Sequence, residues 1–218
     1  MRIALAASVF LLGSLPLVGQ TPAATPAPSA AQPAQVENND VGFSYSLPSD
    51  WENIASPNAR TVAVPYPELM IKKGDACVEV VFTAKRGAPA SVVVVTALPF
   101  ACYGQTMKPG DLANWGIGAA EGLKQTFEVT DPVQGNYMLG SHAIWIERSR
   151  GTPKGHAYSG DAFTFETACT LLTKGAVCWM TMAADWHSLR AFERAPVTLD
   201  GESFAALVPR NSFVPGPK

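Results

Sequence analysis

The residues able to do chemistry in this chain are few and scattered. Three histidines, His142, His156 and His187, could act as bases or metal ligands, but no two stand at the close spacing that pairs ligands on one helix or strand face. A transition-metal site would have to be assembled across the fold, and surface or half-buried imidazoles are the simpler expectation. Asp185 and His187 flank Trp186 and have the residue types for acid–base work, although Asp185 also stands where a helix needs its cap. The nucleophile elbow G-x-S-x-G is absent, and so is a Gly-rich phosphate loop ending in Lys-Ser or Lys-Thr. In Gly116-Ile-Gly118-Ala-Ala-Glu-Gly122 the third glycine falls one position too late for a dinucleotide fingerprint, and Pro109-Gly110 separates the run from any strand. No catalytic residue, cofactor or metal is therefore assigned.

Two other residue types carry more information. The five tryptophans, Trp51, Trp115, Trp145, Trp179 and Trp186, either fill a core or line a binding surface. Trp115, Trp145 and Trp179 fall on a helix stripe and two strands, which makes them the candidates for a ligand groove between helix and sheet. The four cysteines form an even set, which in an exported chain reads as two disulfides rather than a reactive thiolate.

Export itself is read from the first residues. Met1-Arg2 precedes a short apolar run that breaks at Gly13 and Pro16, well under the roughly 20 residues of a bilayer span. Residues 1–20 therefore read as a signal peptide and residues 21–39, rich in Ala and Pro, as an extended, disordered spacer. One globular domain is expected over 40–213, followed by a frayed tail at 214–218. No later stretch is apolar for long enough to span a membrane. Sixteen Lys+Arg against 18 Asp+Glu, with 16% charged residues, lack the basic face of a nucleic-acid reader.

The elements that must position these residues follow from periodicity. Residues 41–47 alternate apolar and polar, as a half-buried strand does, and Pro48-Ser-Asp50 stops them. A short strand is expected at 61–64. The β-branched runs 77–83 and 91–98 flank a hairpin loop at 85–90. Asp111 is placed to cap a helix over 112–127, whose Leu112, Trp115, Ala119, Leu123 and Phe127 form one stripe. Gly116, Gly118 and Gly122 weaken that helix, unless they permit close packing on a strand. Residues 136–139 and 142–148 read as strand, turn, strand. Residues 162–172 and 176–183 flank Thr173-Lys-Gly175, a tight hairpin signal. Asp185 then caps a helix carrying Trp186, Leu189 and Phe192, and a last helical turn is expected over 202–207, capped by Asp200. Hairpin-length connections favour antiparallel pairing, and the order of elements predicts an α+β fold, an antiparallel sheet flanked by helices.

Those hairpins predict the disulfides. With Thr173 and Lys174 as a two-residue loop, Cys169 and Cys178 face each other across the strands. Cys77 opens the first arm of the other hairpin and Cys102 lies just past its second, so the expected pairs are Cys77–Cys102 and Cys169–Cys178.

Phe43-Ser-Tyr-Ser-Leu-Pro48-Ser-Asp-Trp51 resembles the F-x-x-x-x-P-x-x-W opening of PsbP-like proteins, and Leu139-Gly140-Ser-His-Ala143 resembles a central segment of that family. The resemblance would cover about residues 41–209. It implies an α/β/α sandwich, in which helices enclose an antiparallel sheet. Family members include an extrinsic subunit of the oxygen-evolving photosystem, a small-GTPase-binding nuclear protein and exported bacterial proteins, and only the last suit a leader and disulfides. They share a scaffold rather than a chemistry, so no residue role is carried over.

The expected function is an exported, monomeric, non-enzymatic accessory or binding domain whose partner is an unknown protein or small-molecule ligand, acting in the periplasm or outside the cell. The alternative is a secreted hydrolase using an assembled His/Asp or His/Glu site.

Overall fold

The computed structural model describes residues 35–54, 77–87, 90–154 and 162–210. The leader, the expected strand at 61–64, His156 and the tail lie outside the described residues.

The alternating runs become strands, and hairpins pair them. β1 (Gln35–Asn38), β2 (Phe43–Ser46), β3 (Glu52–Ile54), β4 (Glu79–Arg86) and β5 (Ser91–Pro99) occupy the first half. The second half holds β6 (Phe127–Leu139), β7 (His142–Pro153), β8 (Phe163–Leu171), β9 (Gly175–Ala183), β10 (Val197–Leu199) and β11 (Glu202–Phe204). They form a seven-stranded sheet of order β3-β4-β5-β9-β8-β7-β6 and a four-stranded sheet of order β1-β2-β10-β11. Every pairing is antiparallel. Three short helices accompany them: α1 (Phe100–Tyr103), α2 (Leu112–Lys124) and α3 (Trp186–Glu193).

Period two divides the large sheet into two faces. On the inner face Val93, Val95, Ile144, Ile146, Ala168 and Trp179 share a core with Phe43, Tyr45, Val197 and Leu199 of the small sheet and with Phe192 of α3. On the outer face Trp145 and the Cys169–Cys178 pair lie with Leu112 and Ala120 of α2, while Val92, Val94 and Phe165 pack with Leu123 and Phe127. Gly116 is where α2 comes closest. A Cβ there would stand 2.1 Å from Trp145 Cε3, so only glycine admits the ring.

The expected α+β architecture, and with it the α/β/α sandwich, is corrected by this arrangement. Of the described residues 53% are strand and 19% helix, and the fold is β-rich. The layer expected to be helical on the inner face is mostly a second sheet, with α3 covering only one end. That sheet depends on two segments read otherwise. β1 lies within the stretch expected as spacer, and the expected helical turn over 202–207 contains β11 instead. Asp200 does not cap it: Asp200 and Gly201, at φ 49° and 82°, make the two-residue turn between β10 and β11. The Asp200 carboxylate also accepts from the Thr173 backbone N–H (2.9 Å) and hydroxyl (3.0 Å), tying the turn to the β8–β9 hairpin.

The start of the middle helix also differs. Asp111 ends a 3-10 turn (Pro109–Asp111), and its carboxylate accepts from the Lys108 backbone N–H at 2.8 Å rather than from α2. Phe127 opens β6 rather than closing the helix. β6 runs for 13 residues through a bulge at Asp131-Pro132, where φ of Asp131 is 52°. Pro132 masks the strand in the sequence, because proline within a run demotes it, whereas an edge strand tolerates proline at a bulge.

Candidate functional site

The inner face of the large sheet changes character one step beyond its apolar rows. Arg148 on β7 stands opposite Glu166 on β8, and Glu166 opposite Thr181 on β9. Arg148 Nε donates to Glu166 Oε2 at 2.8 Å, and Arg148 Nη2 donates to Oε1 of Glu193 on α3. The three side chains are 5%, 0% and 4% exposed, so this ion network is largely withdrawn from water. The Trp186 ring lies 4.5 Å from the guanidinium carbon and closes its remaining face by a cation–π contact.

Two carboxyls share one cation here, and the environment decides how. Burial, and then the negative charge of Glu193, push the Glu166 carboxyl well above the usual range, while Arg148 pulls it back. Glu166 Oε1 has no hydrogen-bond donor among the described residues. A proton on Glu166 resolves both problems. The acid then donates toward Glu193, and one positive charge balances one negative charge.

α3 is held over this network by its own chemistry. Oδ1 of Asp185 accepts from the Ser188 backbone N–H at 2.8 Å and its hydroxyl at 2.9 Å, a cap that holds the Asp185 carboxyl below its ordinary range. Leu189 and Phe192 face the core, and the Tyr45 hydroxyl donates to the Phe192 carbonyl at 2.9 Å. Past the helix, the Val208 N–H donates to the Glu193 carbonyl at 2.9 Å, bringing residues 208–210 alongside.

Between α3 and that segment opens a cleft of about 410 Å³. Arg148 and Glu193 line it together with Arg190, Arg194 and Arg210, and Val208 and Pro209 supply an apolar wall. The Arg190 Nε lies 3.8 Å from Glu193 Oε2. Four arginines thus line the cleft with one carboxylate, and that carboxylate is already engaged by Arg148. Guanidinium forks in such number suit an oxyanion. Trp186 also borders a second cleft of about 510 Å³ with Arg150, Thr164 and Asp185, whose carboxylate is committed to the cap.

The residues singled out in the sequence do not form this site. His142, 9% exposed, opens β7 with its ring edge-on to Phe204, and His187 is exposed on α3. Trp145 and Trp179 are buried on opposite faces of the large sheet, the half-buried Trp115 packs in the cluster of Trp145, and none of them lines either of these two clefts. The cysteines join as Cys77–Cys102, with Cα atoms 5.6 Å apart, and Cys169–Cys178, at 4.1 Å. Both bridges are local and neither borders the arginine cleft.

Sequence reasoning missed Arg148, Glu166, Glu193 and the three outer arginines. A signal existed for the first two. Ile144, Ile146 and Arg148 alternate in one register, so the arginine points where isoleucines point, and Glu166 sits mid-strand at an inward position. Among the described residues no group of three His, Cys, Asp or Glu side chains is arranged to hold a metal ion, and no helix is long and apolar enough to cross a membrane. No family model matches the chain, and no curated protein matches it.

Proposed function

We propose that this is an exported, non-enzymatic binding domain that holds an anionic group of its ligand in the cleft beside α3. One observation carries the reading: four arginines line a single cleft whose one lining carboxylate, Glu193, is already paired. Gathering like charges costs free energy unless an anion joins them, and a partly enclosed wall strengthens its attraction. The apolar leader-like run and two disulfides support export. In the hydrolase alternative Asp185 would have to act beside His187 while its Oδ1 caps α3. The PsbP-like resemblance carries no residue role and adds nothing to this reading.

The test is thermal unfolding of the full mature chain with rising sodium phosphate or citrate at constant ionic strength. An anion at 100 times its Kd should add about 2.7 kcal/mol to stability. The combined change Arg190→Gln, Arg194→Gln and Arg210→Gln should remove that gain. Equal stabilisation of parent and variant, or turnover in a panel of hydrolase substrates, would contradict the proposal.

A further inference from the structure

The cleft also constrains which anion it takes, and this step rests on the binding-domain reading above. We infer that the group held beside α3 is the phosphoryl end of a small organic phosphomonoester.

The first argument is the number of forks. A carboxylate offers two oxygens, whereas Arg190, Arg194 and Arg210 all line this cleft with Arg148. Engaging three outer forks calls for a group with three terminal oxygens. A phosphodiester offers two and a phosphomonoester three. The second argument is charge. Among the described residues lining the cleft, four arginines stand against one carboxylate, Glu193, a local surplus of three positive charges, or two when Glu166 beneath is ionised. A phosphomonoester carries about −1.5 to −2 at pH 7, with three strong acceptor oxygens. A sulfate ester has the oxygens but only one charge.

The third argument is shape. At about 410 Å³ the cleft falls at the lower end of small-ligand sites, which run from about 300 to 1,000 Å³, and has room beyond the phosphoryl group itself. Val208 and Pro209 offer the remaining part of the ligand an apolar wall. Arg148 is pinned between Glu166, Glu193 and Trp186, so one cation is preorganised, while Arg190, Arg194 and Arg210 are exposed and close from outside.

The experiment is calorimetric titration of the full mature chain with phenyl phosphate, phenyl sulfate, phenylacetate and inorganic phosphate at one ionic strength. Phenyl phosphate should bind at least about tenfold tighter than each of the others, the equivalent of one unpaired charge or fork. Arg194→Lys and Arg210→Lys, which keep the charge and lose the fork, should each weaken phenyl phosphate by about tenfold, with thermal melts unchanged because both residues are exposed. Phenylacetate or phenyl sulfate binding as tightly as phenyl phosphate overturns the inference while leaving an anion site in place. Inorganic phosphate binding equally well overturns the ester, since the wall would then contribute nothing. Binding indifferent to every arginine change overturns the inference and the binding-domain reading together.

Discussion

On the inner face of the seven-stranded sheet two neighbouring rows run across the same strands. Ile146, Ala168, Trp179 and Val95 make one, and Arg148, Glu166, Thr181 and Val93 the next. Backbone geometry, alternation and burial are shared, since every member is at most 4% exposed. The first row stabilises by area, at about 25 cal/mol per Å² of apolar surface removed from water. The second, with Glu193 of α3 packed on it, must offset the desolvation of three ionisable groups and barely balances, since a buried ion pair often does no better than an apolar replacement. Thr181 Oγ1 and Glu166 Oε1 have no hydrogen-bond partner among the described residues, so the polar row is not even fully satisfied. The polar row, which an apolar one could replace, lies under the arginine-lined cleft, and that contrast separates scaffold from site.

The contrast is broken most forcefully from both sides at once. Trp179→Ala should cost about 3–5 kcal/mol in urea unfolding, as deletion of a fully buried indole does. Arg148→Met should cost a similar amount, about 3–5 kcal/mol, because Glu166 and Glu193 would face each other without a cation. The two rows part company in the rescue. Adding Glu166→Leu and Glu193→Leu to Arg148→Met should return stability to the parent level or raise it by about 1–4 kcal/mol. A triple variant as unstable as Arg148→Met alone would mean that the charged row is scaffold after all.

Smaller changes probe the ties between the rows. Asp185→Ala removes the cap of α3 and should cost about 1 kcal/mol, with hydrogen exchange rising in α3 rather than in β9. Uniform exchange would show that the helix and the apolar row open together. Tyr45→Phe should also cost about 1 kcal/mol, by removing the hydroxyl's bond to the Phe192 carbonyl, which keeps the Ala195 N–H.

The finest distinction is in pH. The raised Glu166 carboxyl means that the native state holds a proton the unfolded chain has already released. The stability this proton contributes is complete below the ordinary glutamate value of about 4.3, and it is lost as pH rises through the raised value. The unfolding free energy should therefore fall as pH climbs out of that window, and Glu166→Gln should flatten the slope. An unchanged slope in Glu166→Gln would place the linked proton elsewhere.

Much of the apolar row was legible in the sequence. Alternation marked β2, β-branched runs marked β4 and β5, the Thr173-Lys174 turn marked β8 and β9 and set the register that places Cys169 opposite Cys178, and Asp185 announced α3. These are local rules, set by side-chain period and turn chemistry within about ten residues. The Asp200-Gly201 turn was equally local, flanked by short alternating runs, and marks the second sheet once read as a hairpin.

The partners of that sheet were not local. β2 lies against β10, 154 residues from Phe43 to Val197, and no residue near either states the pairing. The same holds for the site. Arg148, Glu166, Glu193 and Arg210 meet because β7 and β8 pair in one register and the chain returns past α3. The sequence by itself determined which residues alternate, turn and cap, because those effects act over one or two turns of chain. Only the tertiary structure decided that four arginines share a cleft over a buried carboxyl pair, because strand order and helix return are fixed by the burial of whole faces.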